Sequence, residues 1–200
     1  MPKFLTMDDF EFEGKVVLVR VDFNSPVDPQ TKKILDDTRI RVHAETTLKE
    51  LVRKGAKIVI LAHQGRPGSP DFIPLEQHAG ILAKILGTPV EYVDDLFGEG
   101  ANGAIRALKK GKVLVLKNVR TYPDEEKKGS PEEHAKSEFI QKLAPLADIF
   151  ISDAFAAAHR PHASIVGFTV VLPSAAGRVM ERELKALNRV TEVPEKPCIY

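Results

Sequence analysis

Apolar runs alternate with amphipathic stretches along most of the chain, and the runs lack the every-second-residue polarity of a half-exposed strand. In Lys15–Asn24, KVVLVRVDFN, the residues Val16, Val17, Leu18, Val19 and Val21 are interrupted only by Arg20, and the run stops at Asp22, Phe23 and Asn24. Such a run predicts a strand buried on both faces. The same pattern predicts strands at Lys57–Ala62, Pro89–Val93, Lys112–Leu116 and Asp148–Ser152.

Helical spacing falls between these runs. Thr38 or Asp37 can cap a helix to about Lys54, with Ile40, Ala44, Leu48, Leu51 and Val52 on one face and Gly55 as its stop. Leu75–Leu86 ends at Gly87, a glycine-rich entry leads into a helix through about Lys110, and Pro131 opens a helix to about Ala144. Ser174 is the expected cap of a last helix to about Val190, while Ile165–Leu172, broken by Gly167, fits a strand or a packed loop. Residues 191–200, TEVPEKPCIY, read as a linker and the start of another strand, leaving one domain over residues 1–190.

Continuous apolar strands alternating with helices predict an α/β fold, a doubly wound, mainly parallel sheet of Rossmann-like form with helices on both faces. Ligands of such sheets bind beyond the carboxyl ends of the strands. There the sequence places Arg20, Asp22 and Asn24, then His63, Gly65 and Arg66, then Asn118 and Arg120, then Asp153, His159, Arg160 and His162. Four Arg and three His from distant stretches thus meet on one rim. That rim suits a small, multiply charged anion, because the planar guanidinium grips phosphate or carboxylate through two hydrogen bonds.

Two of the arginines carry a further argument. Burying Arg20 unpaired costs roughly several kcal/mol, so it needs an anionic partner or a wet strand end, and Asp22 is the candidate partner. Arg39 sits in the first turn of a helix, where the dipole disfavours a cation by about 0.3–1 kcal/mol. A locally poor choice of this kind points either to an anion held by Arg39 and the helix amides or to a surface pair with Asp36 or Asp37.

Composition narrows the partners. Twenty-nine Lys and Arg against 28 Asp and Glu give a net charge of +1, so no overall field recruits nucleic acid or an anionic membrane. The single cysteine, Cys198, excludes an internal disulfide and a Cys-based zinc site. No apolar run approaches the roughly 18 residues of a membrane span, and the start lacks the regions of a signal peptide, so a cytoplasmic location is expected. GEGANG, Gly98–Gly103, matches the dinucleotide fingerprint GxGxxG, but it is set off from its strand by Asp94–Phe97, and the next strand ends in Lys117 and Asn118 instead of a ribose-binding acid. His159 and His162 with Asp153 could form a metal site, which Arg160 between the two His disfavours, and no P-loop motif is present.

The stretches VRVDFNSP (Val19–Pro26), DDTRI (Asp36–Ile40), HQGRP (His63–Pro67), NVR (Asn118–Arg120), DAFAAAHRPHAS (Asp153–Ser164) and LPSAAG (Leu172–Gly177) together resemble phosphoglycerate kinases, in that family's order and spacing. They resemble its amino-terminal, acid-substrate half in archaeal-type form, one of the family's two α/β domains. The resemblance implies reversible phosphoryl transfer between ATP and the carboxylate of 3-phosphoglycerate, forming 1,3-bisphosphoglycerate, in glycolysis and gluconeogenesis. It implies that Asp22, Asn24 and His63, with Arg20 and Gly65 beside them, meet the hydroxyl and carboxylate end of the acid. Arg66, Arg120 and Arg160 would hold its phosphate, Arg39 would meet the phosphoryl group in flight, and His159 is matched by motif. Mg2+ with ATP or ADP would belong to a second domain beyond Tyr200, so this chain is expected to bind the acid as a monomer without turning it over. A non-catalytic phosphate- or anion-binding α/β module is the alternative. Ala156 stands where many members have Gly, Ala62 where many have Ser, and Lys117 where Glu is usual.

Overall fold

The predicted runs form strands β1 (Val16–Arg20), β2 (Lys57–Leu61), β3 (Val90–Tyr92), β4 (Val113–Val115) and β5 (Ile149–Ser152), joined by β6 (Ser174–Ala176) in one sheet of order β3-β4-β2-β1-β5-β6. Every pairing is parallel. The computed structural model describes residues 4–192, with side chains for residues 4–189.

The helices are α1 (Thr38–His43), which runs through a π turn at Ala44–Leu48 into α2 (Lys49–Arg53), then α3 (Glu76–Leu86), α4 (Glu99–Ala107), α5 (Pro131–Ala135), α6 (Glu138–Leu143), α7 (Phe168–Val171) and α8 (Arg178–Glu192). Two cores follow from the pleat. Val17, Val19 and Val21 point into one with Ile40, Leu48, Leu51 and Leu82 of α1–α3. Leu18 points into the other with Ile105, Phe139, Leu143 and Phe168 of α4, α6 and α7. A strand buried on both sides cannot alternate polar and apolar residues, and each fully buried Val, Leu, Ile or Phe contributes about 1.5–3 kcal/mol.

The faces obey right-handed crossover. From β1 through β2 to β3 the chain moves one way along the sheet, and α1–α3 lie on one face; from β3 onward it moves back, and α4, α6 and α7 cover the other. The reversal leaves β1 between β2 and β5. Its carboxyl end is therefore the topological switch point, where a crevice opens.

Several local expectations are corrected. Asp37 occupies the N-cap position of α1 but its side chain makes no cap hydrogen bond, and Asp36 accepts from the Thr38 amide at 2.9 Å. The helix expected over Pro131–Ala144 breaks at Ser137, which begins α6 in extended conformation. Of the stretch Ile165–Leu172 all but the extended Leu172 is helical, with Phe168 against Phe139 and Phe150, and Gly167 permits the approach because a Cβ there would lie 2.8 Å from Ile140. Ser174 belongs to β6 instead of capping a helix. The start of α8 is bound from the end of the neighbouring strand β5 by Asp153 Oδ1, which accepts from the Val179 and Met180 amides at 2.9 and 3.3 Å. Thr191 and Glu192 end α8, and the rest of the expected linker lies outside the described residues. Among the described residues no helix is long and apolar enough to cross a membrane.

Candidate functional site

A cavity of about 350 Å³ opens at the switch point. The β1 end contributes Asp22 and Asn24, the β2 end His63, Gly65 and Arg66, the β4 end Arg120, the β5 end Ala156, Ala157 and Arg160, and α1 Arg39. Ser69 and Asp71 complete the lining. Four arginines thus face two aspartates. A cavity of about 690 Å³ beside Phe97 and Tyr122 is larger, but its Lys127, Lys128 and Lys136 are matched by Asp124, Glu133 and Glu138, so it concentrates no charge of one sign.

The strand-end loops are tied to one another by hydrogen bonds across the rim. Gly65 (φ 64°) donates its amide to Asn24 Oδ1 at 2.8 Å, and its carbonyl accepts from Arg120 Nη1. A Cβ at Gly65 would lie 2.5 Å from the backbone of Asp71 and Phe72, so both conformation and space require glycine. Gln64 accepts from the Ser25 amide at 2.8 Å and donates to the Ser25 carbonyl at 3.0 Å, and Asn118 donates to the Gln64 carbonyl at 2.8 Å.

Asp22 is occupied on both oxygens. Oδ1 accepts from the Asn24 amide at 3.1 Å, and Oδ2 lies 2.5 Å from Arg39 Nη1. The expected pairing of Asp22 with Arg20 is therefore replaced by Asp22 with Arg39, and Arg39 pairs with neither Asp36 nor Asp37. Arg20, 1% exposed, lies beneath the cavity and outside its lining. It donates to Ser164 Oγ at 2.8 Å, to the Val21 carbonyl at 2.5 Å and to His63 Nδ1 at 3.2 Å. Ser164 in turn binds buried Glu125 at 2.6 Å.

The rim histidines His63 and His162 do not add to the cationic charge of the arginines. Burial, then the charges of Arg20, Arg120 and Arg160, push the His63 pKa down to about 2. Burial likewise lowers His162 to about 4. Burial raises Glu125 to about 7, against the pull of Arg20. His159 is exposed and outside the lining. Asp153 is fully buried and binds His43 at 2.7 Å, while His43 Nε2 accepts from the Asp22 amide at 3.2 Å. His43 thus bridges Asp22 to the residue that holds the α8 start.

A phosphoglycerate kinase family model matches residues 7–200. The chain belongs to the phosphoglycerate kinase family. The phosphoglycerate kinase of Methanobacterium bryantii is 57% identical over 197 residues, covering 98% of this chain and 48% of that protein. That of Methanothermus fervidus is 54% identical over 200 residues, 100% of this chain and 48% of that protein. The crystal structure of phosphoglycerate kinase from Pyrococcus horikoshii OT3 matches with a TM-score of 0.93 at 40% identity, over 98% of this chain and 48% of that chain. The chain spans about half the length of these relatives, consistent with the amino-terminal domain of an archaeal-type phosphoglycerate kinase.

Family membership leaves the glycine-rich decoy with a structural explanation. Asp95 accepts from the Gly98 and Ala101 amides at 2.9 and 3.0 Å, so a carboxylate of the chain itself occupies the helix start that a dinucleotide phosphate would need. Lys117, at the position where Glu is usual, finds its partner in Asp94 at 3.2 Å. Sequence reasoning missed Glu125, Ser164, His43, Ser69 and Asp71 as parts of the site's framework. The signal for Glu125 was indirect: a buried arginine requires a buried anion, and nothing local marks where along the chain it lies.

Proposed function

We propose that this chain is the acid-substrate half of a phosphoglycerate kinase, holding 3-phosphoglycerate or 1,3-bisphosphoglycerate while a second half supplies the nucleotide. The convergence of Arg39, Arg66, Arg120 and Arg160 on one cavity at the switch point supports this reading. Its volume sits at the small end of the roughly 300–1,000 Å³ of ligand pockets, suited to a three-carbon acid.

Arg66, Arg120 and Arg160 are assigned to the substrate's own phosphate. Asn24, with its oxygen engaged by Gly65, has its amide N–H groups left to donate to the carboxylate end, beside His63. Asp22 serves first by holding Arg39 and keeps lone pairs for the substrate hydroxyl. Arg39 is assigned to the transferring phosphoryl group, because that reaction needs positioning and compensation of charge on the moving oxygens more than covalent chemistry. The family resemblance, with a nucleotide-binding second half, is the ground on which Mg2+ with ATP or ADP is assigned to that half.

On this account the chain acts in glycolysis and gluconeogenesis as part of a cytoplasmic enzyme, and by itself it is a monomer that binds acid without turnover. A coupled assay of the chain with 3-phosphoglycerate and Mg-ATP, alongside titrations with ATP and NAD, tests this. No product and no nucleotide binding are expected, and measurable phosphoryl transfer would refute the half-enzyme assignment.

A further inference from the structure

Glu125 is 1% exposed and absent from the cavity lining, yet it ends a hydrogen-bonded chain that reaches the cavity. Its Oε1 accepts the Ser164 hydroxyl at 2.6 Å and its Oε2 the Ser164 amide at 2.9 Å. Ser164 Oγ accepts from Arg20 Nε at 2.8 Å, and Arg20 Nη2 lies 3.2 Å from His63 Nδ1. Chemistry sets the direction of the last link. A guanidinium only donates, so Nδ1 accepts and the ring proton sits on Nε2. Nε2 has no partner among the described residues, and His63 lines the cavity.

We propose that Glu125 is a positioning residue of this site: through Ser164 and Arg20 it holds His63 as the Nε2–H tautomer, a neutral donor presented to the anion in the cavity. The proposal rests on the cavity's being the acid-substrate site. Buried Arg20 needs a counter-charge, and one candidate, Asp22, is engaged by Arg39. Glu125 supplies that charge once ionised, above its raised pKa of about 7, and Ser164 turns it into a directed contact on Arg20 Nε. The guanidinium plane is pinned a second time by the Val21 carbonyl at 2.5 Å, so Nη2 meets the ring in one orientation. A neutral donor suits a rim already holding four arginines, where an imidazolium would add repulsion and lose the acceptor that Arg20 uses. Without the Glu125 charge, Arg20 would compete for Asp22 and release both Arg39 and the ring.

Nitrogen-15 imidazole NMR of the 200-residue chain reads the tautomer directly, with His63 assigned by the loss of its signals in His63→Gln. At about pH 8, where Glu125 is ionised, the wild type is expected to show the neutral Nε2–H pattern. Glu125→Gln is expected to show a mixed pattern and 3-phosphoglycerate affinity lower by about tenfold, the worth of one oriented hydrogen bond. Glu125→Asp, which keeps the charge, should restore most of the wild-type pattern. Ser164→Ala removes the linking hydroxyl but leaves both charges, and it should shift the ring in the same direction even if Glu125→Gln fails to fold. A wild-type Nδ1–H ring overturns the proposal, as does a wild-type pattern that persists in whichever of Glu125→Gln and Ser164→Ala folds. If the wild type binds no 3-phosphoglycerate, the cavity's assignment fails, and the ring spectrum still decides the tautomer.

Discussion

Asp22 Oδ2 lies 2.5 Å from Arg39 Nη1, which joins the end of the central strand to the first turn of the following helix. The arginine that the helix dipole disfavours is held in place by a carboxylate from the switch point, while half of its side chain stays exposed. Arg39 is thus pre-positioned without being buried.

This predicts a split between binding and turnover. In a phosphoglycerate kinase that carries this half together with a nucleotide-binding half, steady-state kinetics of Arg39→Ala should show kcat lower by about 10²–10³, the scale of removing a charge-stabilising donor, with a much smaller change in KM. An unchanged kcat would sink the assignment of Arg39.

The phosphate grip should separate by burial. Arg120 is nearly buried and tied to Gly65 and to Glu126 at 2.8 Å, whereas Arg66 is exposed. Arg120→Ala should weaken 3-phosphoglycerate binding by about 10- to 100-fold and also loosen the Gly65 loop. Arg66→Ala should cost less, and its loss should shrink further as salt screens the exposed charge. Titrations of both variants at low and high salt check this ordering.

Stability should fall on the acid side. His63 and His78 have pKa values lowered from 6.5 to about 2 and about 4, so each binds a proton only on unfolding, and its stabilisation is lost as pH falls below 6.5. Glu125, raised from 4.5 to about 7, acts oppositely: its stabilisation is complete below 4.5 and is lost as pH rises through about 7. His162, lowered to about 4, adds to the two histidines, so between these limits the three histidines take up protons on unfolding and Glu125 releases one, about two net protons and a slope of roughly 2.7 kcal/mol per pH unit. Urea midpoints at about pH 5 and about pH 6.5 measure it, and His78→Gln should flatten the slope.

Arg178 makes a structural counterpart to the site. It binds Glu50 through two nitrogens at 2.7 and 2.8 Å, Asp8 at 2.5 Å and Glu181 at 2.8 Å, joining the amino-terminal segment, α2 and α8. Arg178→Ala should cost about 1–3 kcal/mol, partly screened because the side chain is 23% exposed, with little effect on acid binding. Denaturant unfolding alongside a titration separates the two effects.

How much of this was legible follows from the physics of each element. Strands β1, β2, β4 and β5 announced themselves because burial on both faces leaves no room for polar alternation, and the rim arginines stood out at their ends. Ser174–Ala176 did not, since three small residues read more readily as a helix cap than as an edge strand. The α8 start is bound by Asp153 from 26 residues away, and Ser164 meets Glu125 across 39. Such contacts leave no periodic trace. The protonation of His63 was illegible for the same reason: it depends on how completely Arg20, Arg120 and the strand ends enclose it.

The most direct test is calorimetric titration of 3-phosphoglycerate into the 200-residue chain, with Arg160→Ala as control. Saturable one-to-one binding that inorganic sulfate competes away, and that Arg160→Ala weakens by about tenfold or more, is the result expected. No heat of binding in the wild type, or equal affinity in Arg160→Ala, would contradict the claim that this cavity holds the acid substrate.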